Sequence, residues 1–167
     1  MKKIFITFIF ASLCCACSDS DLQVESIDFT TVSIQNCDNN TEVLFKISSD
    51  EAIILELASN LIVNEATTDE PRTSQIPGGS QFSYRFFSEN VSTTYFCSAI
   101  PPATPIVNDE LEATAGTVSV TTVEVVENEV TSYQHTINIE DLVLLNSNGE
   151  RIIDTNFEFG VITTTAN

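Results

Sequence analysis

Leu144-Leu145-Asn146-Ser147-Asn148-Gly149-Glu150-Arg151-Ile152-Ile153 is the stretch that decides how this chain folds. Two apolar pairs flank an Asn-Gly step, the dipeptide that tolerates the positive φ values of a tight hairpin turn at least steric cost. The stretch therefore predicts two strands turning back on each other. Upstream, Val130 to Leu145 places Tyr133, His135, Ile137 and Ile139 on one face, the two-residue period of a half-buried strand. Thr117 to Val126 is a second long candidate strand, rich in β-branched residues. Downstream, Phe157 to Thr164 closes the fold, and Gly160 within it predicts a bulge or a close approach of another segment.

The same pattern runs back through the first half. Gln81 to Ser88 alternates, with Phe82, Tyr84 and Phe86 on one side and Ser83, Arg85 and Phe87 on the other. Thr93 to Ile100 reads as a strand with Tyr95, Cys97 and Ala99 on one face, before Pro101-Pro102-Ala103-Thr104-Pro105 stops pairing. Thr41 to Ser48 is a shorter strand. Glu51 to Ala58 has enough Ala, Leu and Glu to leave a helix open, but Ile53-Ile54-Leu55 favours a strand. Leu61-Ile62-Val63 is a short apolar patch. Gln23 to Cys37 alternates through Ile27, Phe29, Val32 and Ile34, with a slip between Thr30 and Thr31. Asp69 to Ser80, with Pro71, Pro77, Gly78 and Gly79, reads as a loop ending in a tight turn.

About eight or nine strands with turn signals between them predict an all-β fold. The expected architecture is a single antiparallel β-sandwich, immunoglobulin-like, over residues 27–167. The chain has no Trp, so the core Trp of true immunoglobulin domains is missing.

The first residues carry a different message. Lys2 and Lys3 precede the uncharged, apolar Ile4 to Leu13, and small residues follow, as in a secretory signal. The apolar run is about half of the ~20 residues needed to span a bilayer. It ends in Leu13-Cys14-Cys15-Ala16-Cys17, which resembles the lipobox of bacterial lipoproteins. In that family the cysteine thiol receives a diacylglycerol and becomes the new N-terminus, which here implies lipidation of Cys17 and a signal peptide over 1–16. The usual Leu three residues before the cysteine is replaced by Cys14; taking Cys15 as the target would put Ser12 there, a poorer fit. Ser18-Asp19-Ser20-Asp21, followed by Glu25 and Asp28, is similar to the acidic stretch of surface-exported lipoproteins of the Bacteroidetes group. The resemblance implies a protein of the bacterial envelope, anchored to the outer membrane by acyl chains on Cys17 and exposed at the surface. Residues 17–26 then form a lipidated acidic tether.

Charge and cysteines follow from that reading. The chain carries 24 Asp and Glu against six Lys and Arg, a net charge of -18. Loss of 1–16 would remove Lys2 and Lys3, leaving only Lys46, Arg72, Arg85 and Arg151 as basic residues. Such a surface repels phosphate, so no nucleic-acid partner is expected. Cys14 and Cys15 would leave with the signal and Cys17 would be acylated, so Cys37 and Cys97 remain as a pair. In an oxidising compartment they are expected to form a disulfide.

Chemistry is sparse. His135 is the only histidine, which excludes His-paired metal sites; on its strand face it reads as a satisfied core or edge residue. Gly78-Gly79-Ser80 lacks the Gly after Ser that a nucleophile elbow requires, and no phosphate-cradling loop is present. Asp109, Glu110 and Glu112 read as an acidic loop, as do Asp38-Asn39-Asn40, but neither has calcium-loop spacing. Glu140-Asp141 are adjacent, and adjacent strand residues point to opposite faces, so the pair cannot flank one glycosidic bond. No catalytic residue, metal site or cofactor is expected. The expected function is an envelope-anchored, non-catalytic binding or structural module whose β edges or loops contact an envelope protein or a glycan. The alternative is a small carboxylate-dependent hydrolase on the cell surface.

Overall fold

A computed structural model of the chain describes residues 27–38, 40–146, 148–149 and 151–165. The expected signal peptide, Cys17 and the tether over 17–26 lie outside the described residues. In chain order the elements are β1 (Gln35–Asn36), β2 (Val43–Ser48), β3 (Glu51–Glu56), β4 (Arg72–Ile76), β5 (Gln81–Phe87), a short helix α1 (Thr93–Cys97), β6 (Val107–Glu127), β7 (Val130–Leu145) and β8 (Arg151–Thr165).

The strands form the all-β, antiparallel, sandwich-like fold that the alternation predicts. They belong to one sheet of order β1-β2-β3-β5-β6-β7-β8, and β4 continues the β5 edge by pairing with the middle of β6. Three strands long enough to outrun their neighbours let this sheet curl into a half-barrel. Irregularities bend them. The β6–β7 register shifts on both sides of Ala115, next to Gly116 at φ 151°, and the β7–β8 register shifts between Ile137 and Asn138. The bend needs glycine for its backbone angle, and a Cβ on Gly116 would also sit in tight contact, 3.3 Å from Ile139 Cγ2. Inside the curl, Leu44, Ile53, Leu55, Val118, Val120, Ile137, Ile139 and Phe159 are fully buried in one core.

At the β2–β3–β5 end the sheet buries both faces. Ile53 and Leu55 join the main core, whereas Phe45, Ala52, Ile54 and Phe87 form a second cluster with Val91 on the opposite face. A strand covered on both sides has no reason to alternate, which explains the unbroken Ala52-Ile53-Ile54-Leu55 run. Phe87 reaches this cluster by strand alternation, on the face opposite Phe82, Tyr84 and Phe86.

Several expectations need correction. Thr93 to Cys97 is a helical turn, not a strand. The reason is the adjacent pair Tyr95-Phe96: a strand would send the rings to opposite sides, while the helix packs Phe96 on Phe45 at 4.5 Å and Tyr95 on Phe87 at 5.0 Å. The presumed loop over Asp69 to Ser80 contains β4, whose inward residues Arg72, Ser74 and Ile76 include only one apolar side chain. The turn after it is as expected, with Gly79 and Ser80 amides both donating to the Gln75 carbonyl. Asp109, Glu110 and Glu112 lie on β6 rather than in a loop. Glu110 and Glu112 share a face opposite Arg85 and Ser83, and Asp109 points the other way. Gln23 to Cys37 pairs only at β1; the slip at Thr30 and Thr31 is a turn in which the Val32 amide donates to the Phe29 carbonyl.

Cys37 and Cys97 are bonded, with Cα atoms 5.3 Å apart. The link ties the turn after β1 to α1 and so holds the helix over the second cluster.

Candidate functional site

β1 and β8 are the outermost strands of the sheet, and the half-barrel brings the chain at the start of β1 against the interior of β8. Ile34, just before β1, has its Cδ1 3.1 Å from where a Cβ on Gly160 of β8 would stand, and φ 129° at this position favours glycine. Gly160 therefore serves both roles expected of it, next to the β7–β8 register shift and at a close contact. Beneath the contact, Lys46 of β2 is buried and donates to the Phe29 carbonyl at 2.9 Å, with its ammonium 5.6 Å from the Phe159 ring centre. Burial pushes its pKa below the usual lysine value. This cation clasps the chain over residues 27–34 to the sheet.

Beside that closure a groove of about 670 Å³ remains open. Asn36 and Thr41 line one wall, Thr163, Thr164 and Thr165 of β8 the other, and Ile62, Val63 and Asn64 complete it. The lining is hydroxyl, amide and aliphatic, with no ionisable group. In a chain of net charge -18 that is an unusual surface. Its hydroxyls and amides offer donors and acceptors to a neutral polar chain, and its aliphatic residues offer contact area.

One wall of the groove is set by His135. The imidazole is fully buried, with Nδ1 2.9 Å from Thr122 Oγ1 and Nε2 2.8 Å from Thr164 Oγ1. The directions of these bonds follow from their neighbours. Asn64 Nδ2 donates to the Thr165 carbonyl at 3.2 Å, which turns Asn64 Oδ1 toward Thr164. The Thr164 hydroxyl donates to that oxygen and must accept from His135 Nε2–H. Nδ1 of a neutral ring is then an acceptor for the Thr122 hydroxyl, whose oxygen in turn accepts from Arg72 Nη1 at 3.2 Å. The chain Arg72–Thr122–His135–Thr164–Asn64 runs in one direction and has no place for a second imidazole proton. Burial first, and the Arg72 guanidinium second, hold the His135 pKa below its ordinary value. The sole histidine is thus the satisfied core residue that its strand face suggests.

The same network fastens the loop between β3 and β4. The Thr67 amide donates to the Thr122 carbonyl at 3.0 Å and the Thr122 amide to Thr67 Oγ1 at 3.1 Å, while Arg72 Nη2 donates to the Glu65 carbonyl at 2.9 Å.

Carboxylates gather elsewhere: Glu65, Asp69 and Glu70 beside Arg72, and Glu56, Glu110 and Glu112 around a pocket of about 130 Å³ that Phe82 also lines. Arg85 Nε donates to Glu110 Oε1 at 2.6 Å, so one of the three is already paired with a cation. Glu140 and Asp141 are exposed on β7, with Asp141 at φ 51°. Among the described residues no three His, Cys, Asp or Glu side chains converge in a way that could hold a metal ion. Every described buried side-chain nitrogen or oxygen has a hydrogen-bond partner.

The candidate lipidation site lies outside the described residues; Cys37 and Cys97 are placed together. Sequence reasoning misses the groove, because Asn36, Thr41, Asn64 and Thr163 are each ordinary polar surface residues in sequence. Comparison with protein-family models, with curated proteins and with solved structures finds no match for this chain.

Proposed function

We propose that this chain is a lipoprotein of the bacterial envelope, anchored to the outer membrane through Cys17 and exposed at the surface, whose β domain is a non-catalytic binding module. The lipobox-like Leu13-Cys14-Cys15-Ala16-Cys17 supports the anchor, and the uncharged groove between the two outer strands, walled in part by Thr164 and Asn64 of the Arg72–Thr122–His135–Thr164–Asn64 chain, supports the binding module. A site made of threonine hydroxyls and asparagine amides recognises by hydrogen bonding and shape; it offers no nucleophile or base to a substrate. The partner is a neutral segment of an envelope protein or a glycan, threaded between β1 and β8.

Affinity capture from envelope fractions with the full chain, compared with Thr41→Lys, tests the groove, because Thr41 lines the wall opposite β8. A bound partner lost at least tenfold on Thr41→Lys is the expected result, and a partner retained equally by both places binding elsewhere. Anchoring is tested separately by labelling with a clickable fatty acid. Cys17→Ala abolishes the label if this residue carries the acyl chains, which contribute ~0.8 kcal/mol per buried CH₂ to membrane attachment; undiminished labelling rules Cys17 out.

A further inference from the structure

The groove lies between two strand edges that run the same way. Each of the six pairings that carry the sheet from β1 to β8 is antiparallel, so its first and last strands point in one direction. β4, which takes the place of β5 farther along β6, is antiparallel to β6 as well and leaves that parity unchanged. Seven such strands cannot close into a ring without one parallel junction, the slightly weaker kind of pairing. Among the described residues β1 pairs only with β2, and β8 only with β7. Both edges therefore keep backbone groups to spare. The Thr165 carbonyl accepts from Asn64 Nδ2, so it points away from β7. Residues of an antiparallel strand face one neighbour and the other in turn, which aims the N–H and C=O of Thr163 away from β7 too, toward the groove that Thr163 lines. By the same alternation one of Gln35 and Asn36 faces away from β2.

We propose that the groove takes an extended, uncharged peptide segment of a partner protein as an added strand, antiparallel to both β1 and β8 and bonded through its backbone to their free edges. This deepens the groove's role as a binding site and rests on it. An eighth strand makes the ring even, so that every junction can be antiparallel, and it covers edges that are otherwise left open. Two features select a peptide over a glycan. No side chain lining the groove is aromatic, so a sugar finds no ring face to stack on. Backbone groups repeating along an edge match the repeat of another strand, and Val161 to Thr165, beyond the Ile34–Gly160 contact, give roughly 17 Å of such edge. Charge narrows the segment further. A net charge of -18 repels an acidic one, and the lining holds no carboxylate to pair with a basic one. Thr and Val on β8 favour β-branched residues across from them, and a proline would remove an N–H that the pairing uses.

A displayed library of random heptapeptides, panned on the full chain in detergent, tests this. Enriched sequences are expected to be uncharged, rich in Thr, Val and Ile, and free of Pro. N-methylating the backbone amides of an enriched peptide should weaken its binding at least tenfold although its side chains are unchanged. Adding the peptide should slow exchange of the Thr163 amide at least tenfold and leave that of Thr164, which faces β7, as it was. Thr163→Pro removes the outward N–H and should bind the peptide at least tenfold more weakly; should this variant fold poorly, exchange at Thr163 in the unsubstituted chain decides. Binding that survives Thr41→Lys puts the peptide elsewhere and fails the groove itself. Binding lost on Thr41→Lys but indifferent to N-methylation, with no slowing at Thr163, keeps the groove and overturns the added strand. No enrichment, or binding of cellohexaose or chitohexaose in place of any peptide, overturns it as well.

Discussion

α1 and the loop between β3 and β4 are fastened to this sheet by opposite means. α1 is held over the β2–β3–β5 end by the Cys37–Cys97 bond and by rings, with Phe96 on Phe45 and Tyr95 on Phe87. The loop between β3 and β4 is held at the other end by hydrogen bonds, through Thr67, Asn64 and Arg72 to the Thr122–His135–Thr164 chain. A covalent and apolar fastening is indifferent to protons but sensitive to reductant. A directional polar network has the reverse sensitivities, because each member is oriented by the next. The groove is walled by the second fastening, through Thr164 and Asn64.

Reduction is the harshest way to break the comparison. Closing a loop over a sequence separation of 60 contributes about 4 kcal/mol in the chain-entropy picture. Cys37→Ser with Cys97→Ser should therefore lower the unfolding free energy by about that amount, read from urea midpoints at constant slope. A loss under about 1 kcal/mol would mean that the rings alone hold α1. Denaturing alkylation without reductant should find neither thiol free.

His135→Leu strikes the other fastening. It removes two buried hydrogen bonds while Thr122 keeps Arg72 and Thr164 keeps Asn64, so the expected loss is about 2–3 kcal/mol. Reductant should not change the size of that loss. If it does, the two fastenings are coupled through the sheet.

Acid separates the two without a substitution. The folded-state pKa of His135 lies below the value of 6.5 it has when exposed, so the unfolded chain binds the extra proton more readily. The contribution of this residue is full above pH 6.5 and is lost as the pH falls below it, at no more than about 1.4 kcal/mol per pH unit for one proton. Melts between pH 7.5 and 5.5 should show the decline in the unsubstituted chain and a shallower one in His135→Leu. Equal slopes would remove His135 from the account. The Cys37→Ser, Cys97→Ser chain should keep the decline.

Thr67→Val is the mildest probe. It deletes the side-chain oxygen that accepts from the Thr122 amide at 3.1 Å and leaves the backbone bond in place, for about 1 kcal/mol. Amide exchange at Thr122 should speed up, with the β2–β3–β5 amides unaffected.

The parts of this molecule that were legible in its sequence are those written within a few residues. Alternation in Gln81 to Ser88 and in Tyr133 to Ile139 marks strands, and Gly160 marks a bulge, because side-chain period and backbone sterics are local. The candidate site was less legible. Thr122 has a usable signal: Glu127 pairs with Val130 across the tight Asn128-Glu129 turn, where both φ values are positive, and counting back along both strands puts Thr122 opposite His135. Asn64 and Arg72 had no such signal, since nothing near them in the chain says that they meet β6 and β8. The polar inward face of β4 concealed it for the same reason, as Arg72 and Ser74 look like loop residues until their partners are known.

The sequence by itself determined the all-β class, most of the strands and the pairing of the two cysteines left once Cys17 is set aside. Each of these rests on a pattern or a count that needs no knowledge of what lies across the core. Tertiary structure alone decided that one sheet curls on itself, that β3 is covered on both faces, that Tyr95-Phe96 sits on a helix, and that β1 and β8 meet over a groove. Those outcomes depend on which distant surfaces compete to be buried together. A residue's own propensity is worth tenths of a kcal/mol, whereas burying a ring beside Phe45 or Phe87 is worth about 2 kcal/mol.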